Sequence, residues 1–250
     1  MCPMLSGNSA VLPTDPSASS ATFLERAFVW TGGAVFVVSL AATVYVYAFG
    51  WSTARFGRPI LWPALALNMA WFLAFALHHS LFARDGVKAW VARHVPARLL
   101  RSVYVWIASV LWLGVIAAWQ PLGGLVFEQT NAAARIAHAA IQVVGVLLIA
   151  ASVGVIDGLE LAGIRVSPRP SALQARGPYR LVRHPLYLGW VLAVFGAATM
   201  TVDRLVFAVM TTIYLVVAIP WEERALERAF GEEYQSYKAR VCWRVIPFIY

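Results

Sequence analysis

Long apolar runs separated by short polar loops dominate the pattern of this chain. Four of these runs reach 18 residues or more, the length with which an α-helix crosses the ~30 Å hydrocarbon core of a bilayer. Apolar and polar positions do not alternate as they do in the strands of a membrane β-barrel, so the pattern predicts spanning helices. The predicted spans are residues 27–49, 60–82, 102–119 and 136–156.

Two shorter apolar runs follow, at residues 185–200 and 205–221. The short segment Thr201-Val202-Asp203 lies between them, so the pattern predicts a tight helical hairpin. Beyond residue 221 the composition becomes charged and amphipathic. The prediction is an all-α, polytopic membrane helical bundle of about six spans, with a C-terminal helical hairpin and a cytoplasmic amphipathic tail. It comprises a flexible N-terminal tail (1–24), a four-span bundle (25–157) and a cofactor-binding region with the loop, hairpin and tail (158–250).

Composition supports membrane insertion and excludes an ordinary soluble domain. Apolar residues make up 60% of the chain, charged residues 13%, and the mean hydropathy is +0.69. The segment 1–24 is rich in Ser, Pro, Ala and Thr, without the basic stretch and apolar core of a signal peptide, so we expect a flexible tail. Cys2 and Cys242 form no disulfide framework or ligand spacing, and we expect no metal site.

The net charge of +8 is better explained by membrane topology than by affinity for nucleic acid. With six spans, both termini lie on one side of the membrane. That side carries 16 of the 20 Lys and Arg residues, and the other side carries 4. Because basic loops of membrane proteins stay in the cytoplasm, we expect both termini to be cytoplasmic. Membrane lipids are then the predicted surroundings, and nucleic acid is not a predicted partner.

Polar side chains of the predicted spans gather at their cytoplasmic ends. Polar groups inside membrane helices are costly and therefore mark candidate functional positions. We expect them to converge on one cytoplasmic vestibule, although each also has an ordinary interpretation as an interfacial aromatic, a helix cap or a solvated charge. These residues are His78, His79, Tyr104, Asp157, His184, Tyr187, Glu222 and Glu223.

The stretch 177–189 carries the strongest candidate chemistry, because a basic, proline-containing turn leads there directly into an apolar helix. Arg183 and His184 lie where this helix enters the membrane. Pro185 suits a first helical turn, where its missing N–H costs nothing. The acidic pair at 222–223 returns to the same membrane face at the far end of the hairpin. We expect these two points to meet and to bind a cofactor.

At these residues the sequence resembles the membrane methyltransferases related to isoprenylcysteine carboxyl methyltransferase and the phospholipid N-methyltransferases. The shared pattern Gly-x-Tyr-x-x-x-Arg-His-Pro-x-Tyr-x-Gly occupies residues 177–189. The acidic pair follows, and Phe230-Gly231-Glu232-Glu233-Tyr234 lies beyond it. The resemblance covers roughly residues 171–248.

The upstream half is similar to the bacterial methanethiol S-methyltransferase group. His79-Ser80-Leu81-Phe82, Arg101-Ser102-x-Tyr104 and Thr211-Thr212-x-Tyr214 carry this narrower resemblance. Isoprenylcysteine enzymes place an arginine one helical turn before the acidic pair to hold their substrate, and Ala218 occupies that position here. A small thiol is therefore the favoured acceptor, and a phospholipid amine or an isoprenylcysteine carboxylate is the alternative.

The resemblance implies an integral protein of a bacterial inner membrane with S-adenosyl-L-methionine bound at its cytoplasmic mouth. A carboxylate such as Glu222 can accept hydrogen bonds from the ribose diol or the amine of this cofactor, and ring faces attract its sulfonium. Arg183 and Glu223 could instead pair to lock the hairpin. The cofactor contacts that the resemblance implies are Leu173, Tyr179, Arg183, His184, Pro185, Leu186, Tyr187, Gly189, Glu222 and Glu223.

Methyl transfer to a thiol needs positioning, desolvation and an ionised nucleophile. His79 and Tyr104 are our candidates for deprotonating or orienting the acceptor, with Arg84 or Arg101 lowering its pKa. Two other classes of protein remain open, a haem-associated membrane protein and a non-catalytic transporter or scaffold. His79 and His138 are predicted near opposite membrane faces, which disfavours the first, and the absence of an evident sequence repeat disfavours the second.

Overall fold

The computed structural model of this chain is a bundle of long apolar helices. Five of the described helices are long and apolar enough to cross a membrane, and a sixth apolar helix is shorter. The predicted all-α polytopic membrane bundle is thereby confirmed. Asp157, which we expected in the vestibule, lies outside the described residues. The structure describes residues 22–53, 62–82, 84–155, 158–165 and 172–250.

The first helix, α1 (Phe23–Tyr45), begins at a reciprocal cap. The Thr22 hydroxyl accepts a hydrogen bond from the backbone N–H of Glu25 at 3.2 Å, and the Glu25 carboxylate accepts one from the N–H of Thr22 at 2.9 Å. These two bonds satisfy donors that a helix start otherwise leaves free, so the helix begins before the predicted residue 27. A π-helical turn, Val46–Gly50, extends its other end.

The middle of the chain supplies three further long helices with short elements between them. A 3₁₀ turn precedes the second of these long helices. The strand in the following loop was not predicted. The elements are α2 (Trp62–Phe82), α3 (Asp85–Val91), the 3₁₀ turn Ala97–Leu99, α4 (Leu100–Ala117), β1 (Leu125–Glu128), α5 (Ala132–Val155) and α6 (Gly158–Leu161).

The first arm of the predicted hairpin, α7 (Pro185–Phe195), is shorter than expected. Its 11 residues rise by roughly 16 Å, about half of the hydrocarbon thickness. The prediction of a helix through residue 200 is wrong, because β2 (Thr199–Thr201) pairs antiparallel with β1. β-Branched threonines at both ends of β2 favour this extended conformation.

The second arm, α8 (Val202–Phe230), continues beyond the predicted end at residue 221. Pro220 lies inside it, and the residues that follow are mostly Glu, Arg and Ala, which have high helix propensity. Glu222 and Glu223 therefore lie on a continuous helix rather than at the start of a tail. Gly231, with a φ of +49°, ends α8, and α9 (Glu232–Arg240) follows.

A buried polar network closes the end of the bundle opposite His79. The Asp203 carboxylate accepts hydrogen bonds from the indole N–H of Trp119 at 2.7 Å and from the backbone N–H of Leu122 at 2.9 Å. Arg204 donates to two carbonyls of the π-helical turn at 3.0 and 2.9 Å and to one carbonyl of β2 at 2.6 Å. This network ties together the ends of α1, α4 and α8.

Candidate functional site

A cavity of about 990 Å³ lies among α1, α2, α4, α7 and α8. The predicted catalytic residues and three predicted cofactor contacts all line this cavity, although they come from four different helices. The sequence placed them at one membrane face, and the structure brings them to the wall of one cavity. These five residues are His79, Tyr104, Leu186, Tyr187 and Glu222.

His79 and Tyr104 form a hydrogen-bonded pair at the mouth of the cavity. His79 lies in the last turn of α2, and Tyr104 lies near the start of α4. The His79 Nδ1 atom is 2.5 Å from the Tyr104 hydroxyl oxygen. Tyr214 of α8 places its ring 6.1 Å from the His79 ring, nearly perpendicular to it. The antiparallel course of α2 and α4 brings the pair together.

Tyr187 and Glu222 form a second pair in the same cavity. The Tyr187 hydroxyl donates a hydrogen bond to the Glu222 carboxylate. The His184 ring stacks on the Tyr187 ring with a centroid distance of 5.3 Å, and its Nδ1 is 3.6 Å from the other Glu222 oxygen. Glu222 keeps 43% of its side chain exposed. A partly exposed carboxylate with an aromatic surface beside it can bind a cationic or hydroxyl-bearing molecule.

The neighbouring carboxylate, Glu223, points away from the cavity into a buried ion pair. Its Oε1 accepts a hydrogen bond from Arg183 Nε at 2.7 Å, and both side chains are at most 7% exposed. Arg183 also donates to the carbonyls of Val241 and Cys242 at 2.9 and 2.7 Å. Arg183 and Glu223 therefore join α8, the segment before α7 and the C-terminal segment.

The C-terminal segment packs directly beneath the site. The backbone N–H groups of Arg183 and His184 donate to the carbonyls of Trp243 and Arg244 at 2.9 and 2.8 Å. The Tyr237 hydroxyl donates to the carbonyl of Tyr179 at 2.8 Å. Burial, with a smaller contribution from Glu222, raises the pKa of Tyr179 to about 12. Its phenol consequently stays protonated at neutral pH and remains available as a donor. Leu173 packs against the cluster formed by Tyr234, Tyr237 and Val241.

Gly189, a predicted cofactor contact, lies in the crossing of α7 with α5. A Cβ atom at Gly189 would come within 2.7 Å of the Gly145 carbonyl oxygen, and one at Gly145 would come within 2.6 Å of the Gly189 carbonyl oxygen. Small residues at such a crossing let two helix backbones approach closely. Pro185, at the first turn of α7, is buried.

Several cavity residues were missed as site candidates. On α8 they lie 7, 8 and 11 residues before Glu222, which is the spacing of one helix face. Counting back from the acidic pair could have found them. Of the two arginines proposed to act on the acceptor, Arg101 lines the cavity and pairs with Glu160 at 3.7 Å. The missed residues on α8 are Leu215, Tyr214 and Thr211.

Comparison with known proteins identifies the class to which this fold and site belong. The family model described as Phospholipid methyltransferase matches residues 135–233, which include α5, α7 and α8. This match and the spanning helices agree with an integral membrane methyltransferase, the class that the curated relatives establish over most of the chain. No solved structure matches the chain.

Curated relatives then define the particular family. A methanethiol S-methyltransferase of Crocosphaera subtropica is 34% identical over 246 residues, which cover 92% of this chain and 96% of the relative. One of Mycobacterium tuberculosis is 35% identical, over 71% of this chain and 76% of the relative. Human Nurim is 31% identical, over 68% of this chain and 70% of the relative. The chain belongs to the methanethiol S-methyltransferase family.

Proposed function

We propose that this enzyme transfers a methyl group from S-adenosyl-L-methionine to a small thiol such as methanethiol, giving a methyl sulfide. One observation carries the proposal. The His79–Tyr104 pair, which can accept a proton, opens into the same cavity as the Tyr187–Glu222 pair, which can bind a cationic donor. The names of the curated relatives support a thiol as acceptor.

The chemistry of the cavity mouth fits S-adenosyl-L-methionine. When bound, this cofactor supplies an electrophilic methyl carbon on a sulfonium. Glu222 offers a partly exposed carboxylate for its amine or ribose hydroxyls, and the stacked rings of His184 and Tyr187 offer faces to its cationic part. The buried His184 Nε2 lies 3.5 Å from Glu223 Oε1, so the ring is held between the two carboxylates. Leu186 lines the cavity beside them, and Tyr179 lies near enough to Glu222 for the carboxylate to raise the pKa of its phenol.

The other predicted contacts act indirectly in this proposal. Arg183 and Glu223 hold the segment before α7 against α8 and the C-terminal segment, so the geometry favours their locking role. Gly189 lets α7 pack closely on α5. Pro185 fixes the start of α7, and Leu173 packs on the C-terminal tyrosines. These residues position the groups that contact the cofactor.

His79 is the proposed proton acceptor. If its Nδ1–H donates to the Tyr104 hydroxyl, then Nε2 carries the lone pair and can take the thiol proton. In this arrangement Tyr104 fixes the orientation of the ring. Arg101, at the mouth of the cavity, favours the thiolate by its positive charge. The lining beyond the pair is largely apolar, which strengthens electrostatic interactions there.

The distribution of charge supports a cytoplasmic site in a bacterial inner membrane. His79, Tyr104 and Glu222 lie at the end of the bundle that carries the basic loops and the C-terminus, where S-adenosyl-L-methionine would be drawn from the cytoplasm. Labelling of an exposed residue such as Cys242 in right-side-out and inverted membrane vesicles tests this orientation.

The first experiment is calorimetric binding of S-adenosyl-L-methionine to detergent-solubilised protein, followed by a screen of thiol and amine acceptors. We expect measurable binding and methylation of methanethiol. If the well-folded protein binds no S-adenosyl-L-methionine, the proposed donor is wrong. If it methylates a phospholipid amine but no thiol, the donor stands and the proposed acceptor is wrong.

The second experiment is a double-variant cycle on His79→Ala and Tyr104→Phe. Two residues that act as one unit lose activity non-additively, so the double variant should be about as slow as His79→Ala alone. A general base contributes about 10²- to 10⁴-fold to the rate. Losses that simply multiply, with unchanged thermal stability, would show that the two residues act separately.

A further inference from the structure

The deep part of the cavity is an aromatic chamber that the proposed chemistry does not require. The cavity of about 990 Å³ would hold both the cofactor and the acceptor, and its deep part lies beyond Leu186, Tyr187 and Glu222, the cavity residues proposed to contact the cofactor. We use "aromatic chamber" for the part that lies deepest between α1, α2 and α4. Its walls are Phe36, Leu40, Phe72, Phe75, Ser109 and Trp112.

The aromatic chamber lies directly behind the His79–Tyr104 pair. On α4, Ala108 and Trp112 follow Tyr104 at four-residue spacing, which puts them on the same helix face and roughly 6 and 12 Å deeper. On α2, Phe75 precedes His79 by one helical turn, and their ring centroids are 5.6 Å apart. A thiol whose sulfur lies at the pair would therefore direct its carbon substituent into the chamber.

The walls offer little for a polar substituent to bind. The indole N–H of Trp112 donates to the Thr43 hydroxyl at 2.7 Å, and that of Trp190 donates to the Thr211 hydroxyl at 2.9 Å. Both tryptophans thus present ring surfaces with their donors already occupied. Among the fully buried polar side-chain atoms of the described residues that line the cavity, the Ser109 hydroxyl is the one without a hydrogen-bond partner. An apolar alkyl or aryl group suits such a lining.

We propose that this enzyme also accepts, and prefers, apolar thiols larger than methanethiol, whose alkyl or aryl group fills the aromatic chamber. This inference rests on the proposed function. The thiol sulfur provides the electron pair of the new S–C bond, and the bond between the methyl carbon and the donor sulfonium breaks with its electron pair returning to the donor sulfur. The thiol proton goes to His79, so the products are an alkyl methyl sulfide and S-adenosylhomocysteine.

The test is a series of straight-chain thiols from methanethiol to 1-hexanethiol, with thiophenol as an aryl member. Each added methylene buried in the chamber should raise kcat/KM about three- to fourfold until the chamber is full. The methyl sulfide products are measured by gas chromatography. Because longer thiols also partition into detergent, each rate is compared between wild type and chamber variants in the same micelles.

The decisive variant is Ala108→Phe, which places a ring in the cavity between Tyr104 and Trp112. We expect it to lower the ratio of hexanethiol to methanethiol kcat/KM at least tenfold. Its matched control is Val110→Phe, which adds a ring on an exposed face of α4 and should leave the ratio unchanged. Ser109→Leu is the milder chamber variant if Ala108→Phe does not fold, and it should lower the ratio in the same direction.

Two outcomes would overturn the proposal, and they differ from a failure of the proposed function. If wild type methylates methanethiol but longer thiols react no faster, or if the chamber variants and Val110→Phe give the same ratio, the chamber does not select the acceptor. If no thiol of any length is methylated, the thiol acceptor itself is wrong.

Discussion

The adjacent carboxylates Glu222 and Glu223 give the sharpest prediction, because each can be changed to glutamine with its neighbour intact. Glu223 is 5% exposed and paired with Arg183, whereas Glu222 is 43% exposed in the cavity. Glu223→Gln leaves a buried guanidinium without its carboxylate. Breaking a buried ion pair lowers the free energy of unfolding by about 3–5 kcal/mol. The amide oxygen of the new glutamine can still accept a hydrogen bond from Arg183, so we expect a loss near the lower value. At roughly 2–4 °C per kcal/mol, Tm should fall by about 6–12 °C.

Glu222→Gln should show the opposite behaviour. Its partly exposed carboxylate contributes little to stability, so Tm should stay within about 2 °C of wild type. A charge-assisted hydrogen bond contributes about 1.5–3 kcal/mol, so the Kd for S-adenosyl-L-methionine should rise about ten- to hundredfold. Differential scanning fluorimetry and isothermal titration calorimetry on the same detergent preparations measure both quantities.

A double variant tests whether the unpaired buried charge causes the destabilisation of Glu223→Gln. Replacing a buried pair by apolar residues of similar volume is often neutral, so Arg183→Met with Glu223→Met should regain part of the Tm lost in Glu223→Gln. Full recovery is not expected, because Arg183 also donates to two C-terminal carbonyls. A Glu223→Gln variant with wild-type Tm and lost cofactor binding would refute the assigned roles.

Three further predictions concern catalysis and packing. His79→Ala should lower kcat by about 10²- to 10⁴-fold at saturating substrates without lowering Tm, and full turnover at neutral pH would remove its assigned role. Gly189→Ala should lower the free energy of unfolding by about 1–3 kcal/mol, because the added methyl group separates α7 from α5. At Gly154 a Cβ meets nothing within 4 Å, so Gly154→Ala should be neutral or stabilising. Equal effects of the two variants in thermal melts would contradict this. Asp203→Ala should cost roughly 2–6 kcal/mol, since two buried donors lose their acceptor; an unchanged Tm would contradict that reasoning.

Hydropathy alone located the four long helices before α7. A helix that crosses the bilayer is surrounded by lipid, so nearly every position in it must be apolar. It failed where tertiary contacts set the end of an element. Residues near 200 read as a continuation of an apolar helix, yet pairing with β1 makes Thr199–Thr201 a strand. The charged composition beyond residue 221 suggested a helix end, yet α8 continues to Phe230 and packs against α9.

For the site, the sequence determined which residue types lie at one membrane face, because topology follows from span count and basic loops. It could not distinguish Glu222 from Glu223, since they are adjacent and chemically identical. Their different environments arise because consecutive residues of a helix point about 100° apart, one toward the cavity and the other toward Arg183. Only the tertiary structure decided this, together with the depth of the aromatic chamber, because both depend on how separate helices pack.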